Sequence, residues 1–261
     1  MTAQPPLMPD LGGKTILVTG ASKGIGAATA EALGRAGGFV VAHYGSDRAG
    51  AAKATAVIPD RQKLLIGTNL AEPGAARVLW KQALEWRGRV DVLVNNAAVM
   101  HDSPLDADDE AWDAAWAAVL QVNVMEAASL MREATRHFLA SGGGVLIAVS
   151  SWAAQRGSGN PKLIAYAASK AALKAATQTI ARAYAKDGVL AYIVAPGVVR
   201  TQMSEISAAE MGGEAAVTAT LAMGEWVPPG EIADLVTFLA SGRCRHLTGA
   251  TLDVNGASYV R

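Results

Sequence analysis

Seven short apolar runs, separated by stretches of helical character, constrain this chain more than any other feature. The runs are Lys14 to Thr19, Phe39 to Tyr44, Leu64 to Gly67, Val90 to Asn95, Val145 to Ser150, Val189 to Val194 and Thr251 to Val254. Most are apolar at successive positions rather than at alternate ones. That is the pattern of strands covered on both faces, the condition of a parallel sheet. The helical stretches are residues 24–36, 47–57, 73–86, 109–140, 164–186 and 230–240. Gly37 and Gly38 stop the first, and Pro73 suits an early helix position in the third. Strand and helix in alternation predict an α/β, Rossmann-type doubly wound fold, with a seven-stranded mostly parallel sheet and helices on both faces. No linker interrupts the alternation. Residues 11–261 are therefore read as one domain, and the proline-bearing residues 1–10 as a mobile N-terminal tail.

Composition removes several classes of function. Lys plus Arg and Asp plus Glu both number 23, and a chain of zero formal charge lacks the basic excess of a nucleic-acid binder. The single Cys244 excludes an internal disulfide and fits a reducing compartment. The N-terminus lacks a basic start and an apolar core, so no secretory signal is expected. No apolar run approaches the roughly 18 residues of a membrane span. A soluble, cytoplasmic protein without a membrane partner is expected. Asp102, Asp106, Asp108, Asp109 and Glu110 form an acidic cluster, read as complementing a helix N-terminus. No His or Cys set accompanies it, so no metal is expected.

Two local patterns point to chemistry. Thr19-Gly20-Ala21-Ser22-Lys23-Gly24-Ile25-Gly26 joins the first strand to the first helix. Glycines there let backbone approach a pyrophosphate, and the helix start offers free N–H groups. Three residues separate the first two glycines, unlike the common G-x-G-x-x-G. Further on, Tyr166 and Lys170 stand four apart and share one helix face. An ammonium beside a phenol favours phenolate, and the tyrosine pKa is expected to fall from its usual value of about 10.

These patterns have company in order along the chain. Asn95-Asn96-Ala97-Ala98 follows the fourth strand, Asn123 lies in the long helix, and Ser150-Ser151 ends the fifth strand. Pro196-Gly197 follows the sixth strand, and Leu247-Thr248-Gly249 precedes the last. With the glycine loop and the Tyr166/Lys170 pair, the set resembles the short-chain dehydrogenase/reductase family in its compact single-domain form, similar to 3-oxoacyl-(acyl carrier protein) reductases. The resemblance implies that Tyr166 gives or takes the proton, and that Lys170 tunes it and holds the nicotinamide ribose. Ser151, with Ser150 as its competitor, would bond the substrate oxygen, and Asn123 would hold a water linking Lys170 to solvent. It also implies that the cofactor lies against Gly20, Ser22, Lys23, Gly24, Ile25 and Gly26, then Asn69 and Leu70. Asn96, Ala97, Ala98, Tyr166, Lys170, Pro196, Gly197, Val199 and Thr201 would complete the contact.

The end of the second strand chooses the cofactor in this family. Tyr44, uncharged, is taken as the deciding position, and Lys23, Ser46 and Arg48 are candidates to face a 2′-phosphate. NADP is favoured, and NAD stays open through Asp47. The chain departs from the family pattern in a Ser151-to-Tyr166 spacing of fifteen rather than about thirteen, in Ala98 for a common glycine, and in Asn69 for a common aspartate. Residues 198–227, with Met203, Met211, Met223 and Trp226, are read as an apolar lid, packing against the domain or a second subunit being the alternative. The function expected is NADP-dependent interconversion of a ketone and a secondary alcohol by a homotetramer or homodimer. A catalytically silent dinucleotide-binding sensor and an NAD-linked alcohol dehydrogenase are the alternatives.

Overall fold

The computed structural model describes residues 9–261. The expected tail falls mainly outside them; at its inner end Pro9 is buried. Seven strands form one sheet: β1 (Thr15–Val18), β2 (Phe39–Tyr44), β3 (Lys63–Gly67), β4 (Val92–Asn95), β5 (Gly144–Val149), β6 (Val189–Pro196) and β7 (Thr251–Val254). Their order is β3-β2-β1-β4-β5-β6-β7, and every pairing is parallel. The expected antiparallel allowance is not used. All crossovers carry a helix, which buries the inner strands on both faces, while the edge strands β3 and β7 stay partly exposed.

The sheet grows outward in both directions from β1 and β4, so the chain reverses its winding there. In such sheets the crevice beyond the carboxyl ends of the strands is where ligands bind. On one face α1 (Gly24–Arg35) packs against α10 (Pro229–Ala240), enclosing Ile16, Val18, Val40, Val94, Val194 and Val236. On the other face α3 (Ala75–Arg87), α5 (Ala127–Ala140) and α7 (Ile164–Tyr184) enclose Leu17, Val41, Leu93, Leu130, Phe138 and Leu146. The helix α2 (Arg48–Ala54) follows β2 and is capped by the Asp47 side chain.

Three elements differ from expectation. Pro73 precedes α3 rather than opening it; Gly74, at φ +85, makes the entry turn, and the helix starts at Ala75. The helix expected at 109–140 is α4 (Asp109–Leu120) and α5 joined by a π-helical turn, Gln121–Glu126. Two buried polar residues in that turn bond outside their own helix. Glu126 accepts from the N–H groups of Gly74 (2.9 Å) and Ala76 (2.7 Å), and Asn123 reaches the chain after β4. By length and composition this 32-residue helix could span a membrane, with a mean hydropathy of 1.3 over its most apolar window, against the expectation of no such run. Here Leu130, Met131, Ala134 and Phe138 are core residues. Finally, the segment 198–227, outside the helical stretches expected, is partly helical. It holds α8 (Gln202–Glu210) and α9 (Glu214–Thr218) around a small core of its own, Ala208, Val217, Leu221 and Trp226.

Candidate active site

The chain bends sharply after β1 because its glycines allow it. Gly20 (φ +67) and Gly24 (φ +56) lie in the left-handed region, which glycine enters without steric cost. Gly26 is required for a different reason: a Cβ there would lie 2.0 Å from the Gly20 carbonyl oxygen and 2.6 Å from Asn96 Nδ2. The close approach lets α1 begin directly beneath the loop, with its first N–H groups facing the crevice. The Thr19 hydroxyl accepts from the N–H groups of Asn96 and Ala97, both at 2.9 Å, and the Asn96 amide donates to the Thr19 carbonyl at 2.8 Å. The loops after β1 and β4 are thereby locked together.

A cleft of about 590 Å³ runs from this loop to the start of α7. Around the glycine loop it is lined by Gly20, Ser22, Lys23, Gly24, Ile25, Gly26, Ser46, Asn69 and Leu70. The lining also includes Asn96, Ala97, Ala98, Ser151, Tyr166, Lys170, Pro196, Gly197, Val199 and Thr201. Gly197 admits a close approach too, since a Cβ there would meet Asn255 Cβ at 2.7 Å. The Thr201 side chain caps α8, whose next two residues, Gln202 and Met203, also line the cleft. A short helix, α6 (Ala153–Arg156), occupies the longer loop between Ser151 and Tyr166.

The helix α7 sets the reactive groups. Lys170 is 3% exposed, and its ammonium donates to the Val149 carbonyl at 2.9 Å, 5.7 Å from the centre of the Tyr166 ring. Burial lowers the Lys170 pKa from 10.5 to about 8. Burial also pushes Tyr166 up to about 12, with the Ser151 hydroxyl partly offsetting it. In this structure the tyrosine pKa thus lies above its usual value rather than below it, because loss of water around the phenol is the larger effect. Ser150 donates to the Lys170 carbonyl at 2.9 Å, which commits it to the backbone of α7. Ser151 accepts from Ala153 N at 3.1 Å and keeps its proton to give.

Three expected site residues stand elsewhere. Asn123 does not line the cleft. Its side chain accepts from Val99 N (2.8 Å) and donates to Val99 O (2.9 Å) and Ser169 Oγ (3.0 Å). That amide holds the loop after β4 against α7 and has no free N–H for a water. Tyr44 lies away from the cleft, its ring so close to Gly67 that a Cβ there would stand 2.8 Å from Tyr44 Cζ. Successive strand residues face opposite sides, so it is His43 that lines the cleft. Arg48 is exposed at the start of α2 and outside the lining. Asp47 lines the cleft, with its carboxylate accepting from Gly50 N at 2.8 Å. Asn69 lines it as well, its Oδ1 accepting from Ala71 N at 3.1 Å.

His43, Thr68, Val99, Met100 and Val149 also line the cleft without having been expected there. A strand apolar at successive positions gives no sign of which residues face the cleft, so His43 carried no mark in the sequence. Of the expected lid residues, Met203 reaches the cleft. Met211 and Met223 are exposed, and Trp226 is buried in the lid's own core, donating to Thr218 Oγ1 at 2.9 Å. The acidic cluster behaves as expected at its end: Asp108 caps α4, and Asp109 and Glu110 occupy its first turn.

Residues 20–257 match the family model described as enoyl-(acyl carrier protein) reductase. The chain is 32% identical to the 3-oxoacyl-(acyl carrier protein) reductase of Haemophilus influenzae over 95% of this chain and 99% of that protein. It is 34% identical to 3β-hydroxysteroid dehydrogenase 1 of Eggerthella lenta over 95% of this chain and 94% of that one. A short chain dehydrogenase from Burkholderia cenocepacia, solved in complex with NADP, superposes with a TM-score of 0.85 at 32% identity, covering 95% of this chain and 99% of that one.

Proposed function

Since the chain belongs to the short-chain dehydrogenase/reductase family, we propose that it interconverts a ketone and a secondary alcohol with NADP as hydride carrier, Tyr166 moving the proton. One observation carries this reading: a buried lysine and a half-buried tyrosine share the end of a single cleft whose far end is a glycine loop with room for close backbone approach. The hydride is supplied by the nicotinamide when the dinucleotide is bound; the protein supplies position and charge. The backbone approach at Gly20 and Gly26 and the open start of α1 suit the diphosphate. Ser22, Lys23 and Ser46 offer a cation and two hydroxyls for the 2′-phosphate, while Asp47 is engaged in capping α2.

In the reducing direction Tyr166, neutral over the whole working range, gives its phenolic proton to the carbonyl oxygen. Ser151 donates a hydrogen bond to the same oxygen as its negative charge grows. Lys170, still protonated near neutral pH, stabilises the phenolate that remains. Asn123 keeps α7 and the loop after β4 in register. Lys162 is matched with Asp102 (3.5 Å) and Glu210 (3.6 Å), and Arg200, next in sequence to the lining residues Val199 and Thr201, with Glu214 (2.9 Å). With Met100 and Met203 in the lining, this favours an uncharged ketone over an anionic one. The test is NADPH oxidation by the purified protein across uncharged ketones and 3-oxoacyl thioesters. Turnover with at least one is expected. NADPH binding without turnover on any of them would overturn the reading.

A further inference from the structure

His43 lines the cleft yet has no part in the proton transfer above. It is 2% exposed, and its ring bridges two strand exits. Nδ1 accepts from Gly20 N at 3.1 Å, and Nε2 lies 2.8 Å from the Thr68 carbonyl oxygen. A backbone N–H only donates and a carbonyl only accepts. One form of imidazole satisfies both, the neutral ring with its hydrogen on Nε2. The other neutral tautomer loses both bonds. The cation keeps Thr68 but turns an N–H against the N–H of Gly20. The backbone adds to the bridge: Ala21 N donates to His43 O at 2.8 Å, and Thr68 N to Tyr44 O at 3.0 Å. Gly20 in turn has little slack, since even a methyl there would come within 3.0 Å of Ala97 Cα.

We propose that His43 is a positioning residue for the dinucleotide: as the neutral Nε2–H ring it fixes the Gly20 amide and the end of β3, and its protonation weakens nucleotide binding. This rests on the dinucleotide reading given above. The charged groups on the surrounding elements are engaged elsewhere or face solvent. Lys23 of the glycine loop bonds Gln202, Glu31 and Arg35 of α1 pair with each other, and Asp47 caps α2. Arg48 of α2 is exposed, and Lys63 of β3 bonds Asp60 and the carbonyls of Thr55 and Ile58. The turn after β3 brings Glu72, bonded to Asn69, and β1 brings no titratable side chain. Burial, set against the Thr68 bond, holds His43 below the usual histidine pKa, which keeps the bridging form at neutral pH.

The experiment is the Kd for NADP measured from about pH 8 to about pH 5 on the wild type and on His43→Asn, whose amide oxygen can still accept from Gly20 but which takes up no proton. Below the titration of His43, linkage raises the wild-type Kd by up to about tenfold per pH unit. The 2′-phosphate, with a pKa of about 6, affects both proteins alike and cancels in the ratio of their Kd values. That ratio should rise as the pH falls, by up to about tenfold per pH unit for a single linked proton; a flat ratio overturns the proposal. Nitrogen-15 spectra of the wild-type ring give a second readout, needed if the variant does not fold. They should show the Nε2–H tautomer, with a titration that moves to lower pH on adding NADP. An Nδ1–H tautomer, or a titration unmoved by NADP, overturns the proposal. If the wild type binds no dinucleotide near the upper pH, the functional reading itself fails and the role of His43 with it.

Discussion

Replacing Lys170 by methionine should make the protein more stable and less active. The lysine is buried, and its pKa falls from 10.5 to about 8 because water is removed from the charge. That fall corresponds to about 3 kcal/mol of destabilisation at neutral pH. Methionine matches the length of the side chain, fills the same space and needs no hydration. It gives up the bond to the Val149 carbonyl, a loss of about 1 kcal/mol. A net gain of about 2 kcal/mol follows, or about 4–8 °C in Tm for a domain of this size. The sign depends on pH. Below about 8 both folded and unfolded lysine are protonated, and the penalty is full. Between that value and 10.5 the folded protein has released the proton while the unfolded chain keeps it, so the wild type gains stability as pH rises. The advantage of Lys170→Met should thus be complete near pH 7 and nearly gone by about pH 10. Urea unfolding at the two pH values measures it. A variant no more stable than the wild type at neutral pH, or an advantage unchanged at the higher pH, would refute the reasoning.

Other outcomes follow from the same structure. Ketone reduction should fall as pH rises through about 8, when Lys170 loses its proton, while Tyr166 at about 12 keeps its own; a pH–rate profile with no descending limb there would contradict it. Gly26→Ala places a methyl 2.0 Å from the Gly20 oxygen, and should cost about 1–3 kcal/mol of stability and raise the NADP Kd, both read by titration and thermal unfolding. Glu126→Gln leaves one acceptor oxygen for the two N–H groups at the start of α3, and should destabilise by about 1–3 kcal/mol in denaturant unfolding.

Much of the fold was legible because parallel strands buried on both faces leave continuous apolar runs, and most of the seven strands were visible as such. Glycine at the first turn and the four-residue spacing of Tyr166 and Lys170 were legible for the same reason: local geometry depends on them directly. What escaped depends on contacts between distant segments. The π turn at 121–126 arises because Asn123 and Glu126 bond to Val99 and to the start of α3, partners far along the chain. Tyr44 was expected to face the cofactor because a strand buried on both sides hides its own phase; His43 faces it instead. The direction of the Tyr166 pKa was misjudged because spacing shows a neighbouring charge but not the depth of burial, which here is the larger effect.

The most direct test of the central claim compares wild type with Tyr166→Phe for NADPH binding and for turnover on an accepted ketone. The change removes one hydroxyl and no packing volume of consequence. NADPH affinity should stay within about threefold, and turnover should fall by about a hundredfold or more, the range of a lost general acid. Turnover retained at the wild-type level with NADPH bound would contradict the role given to Tyr166.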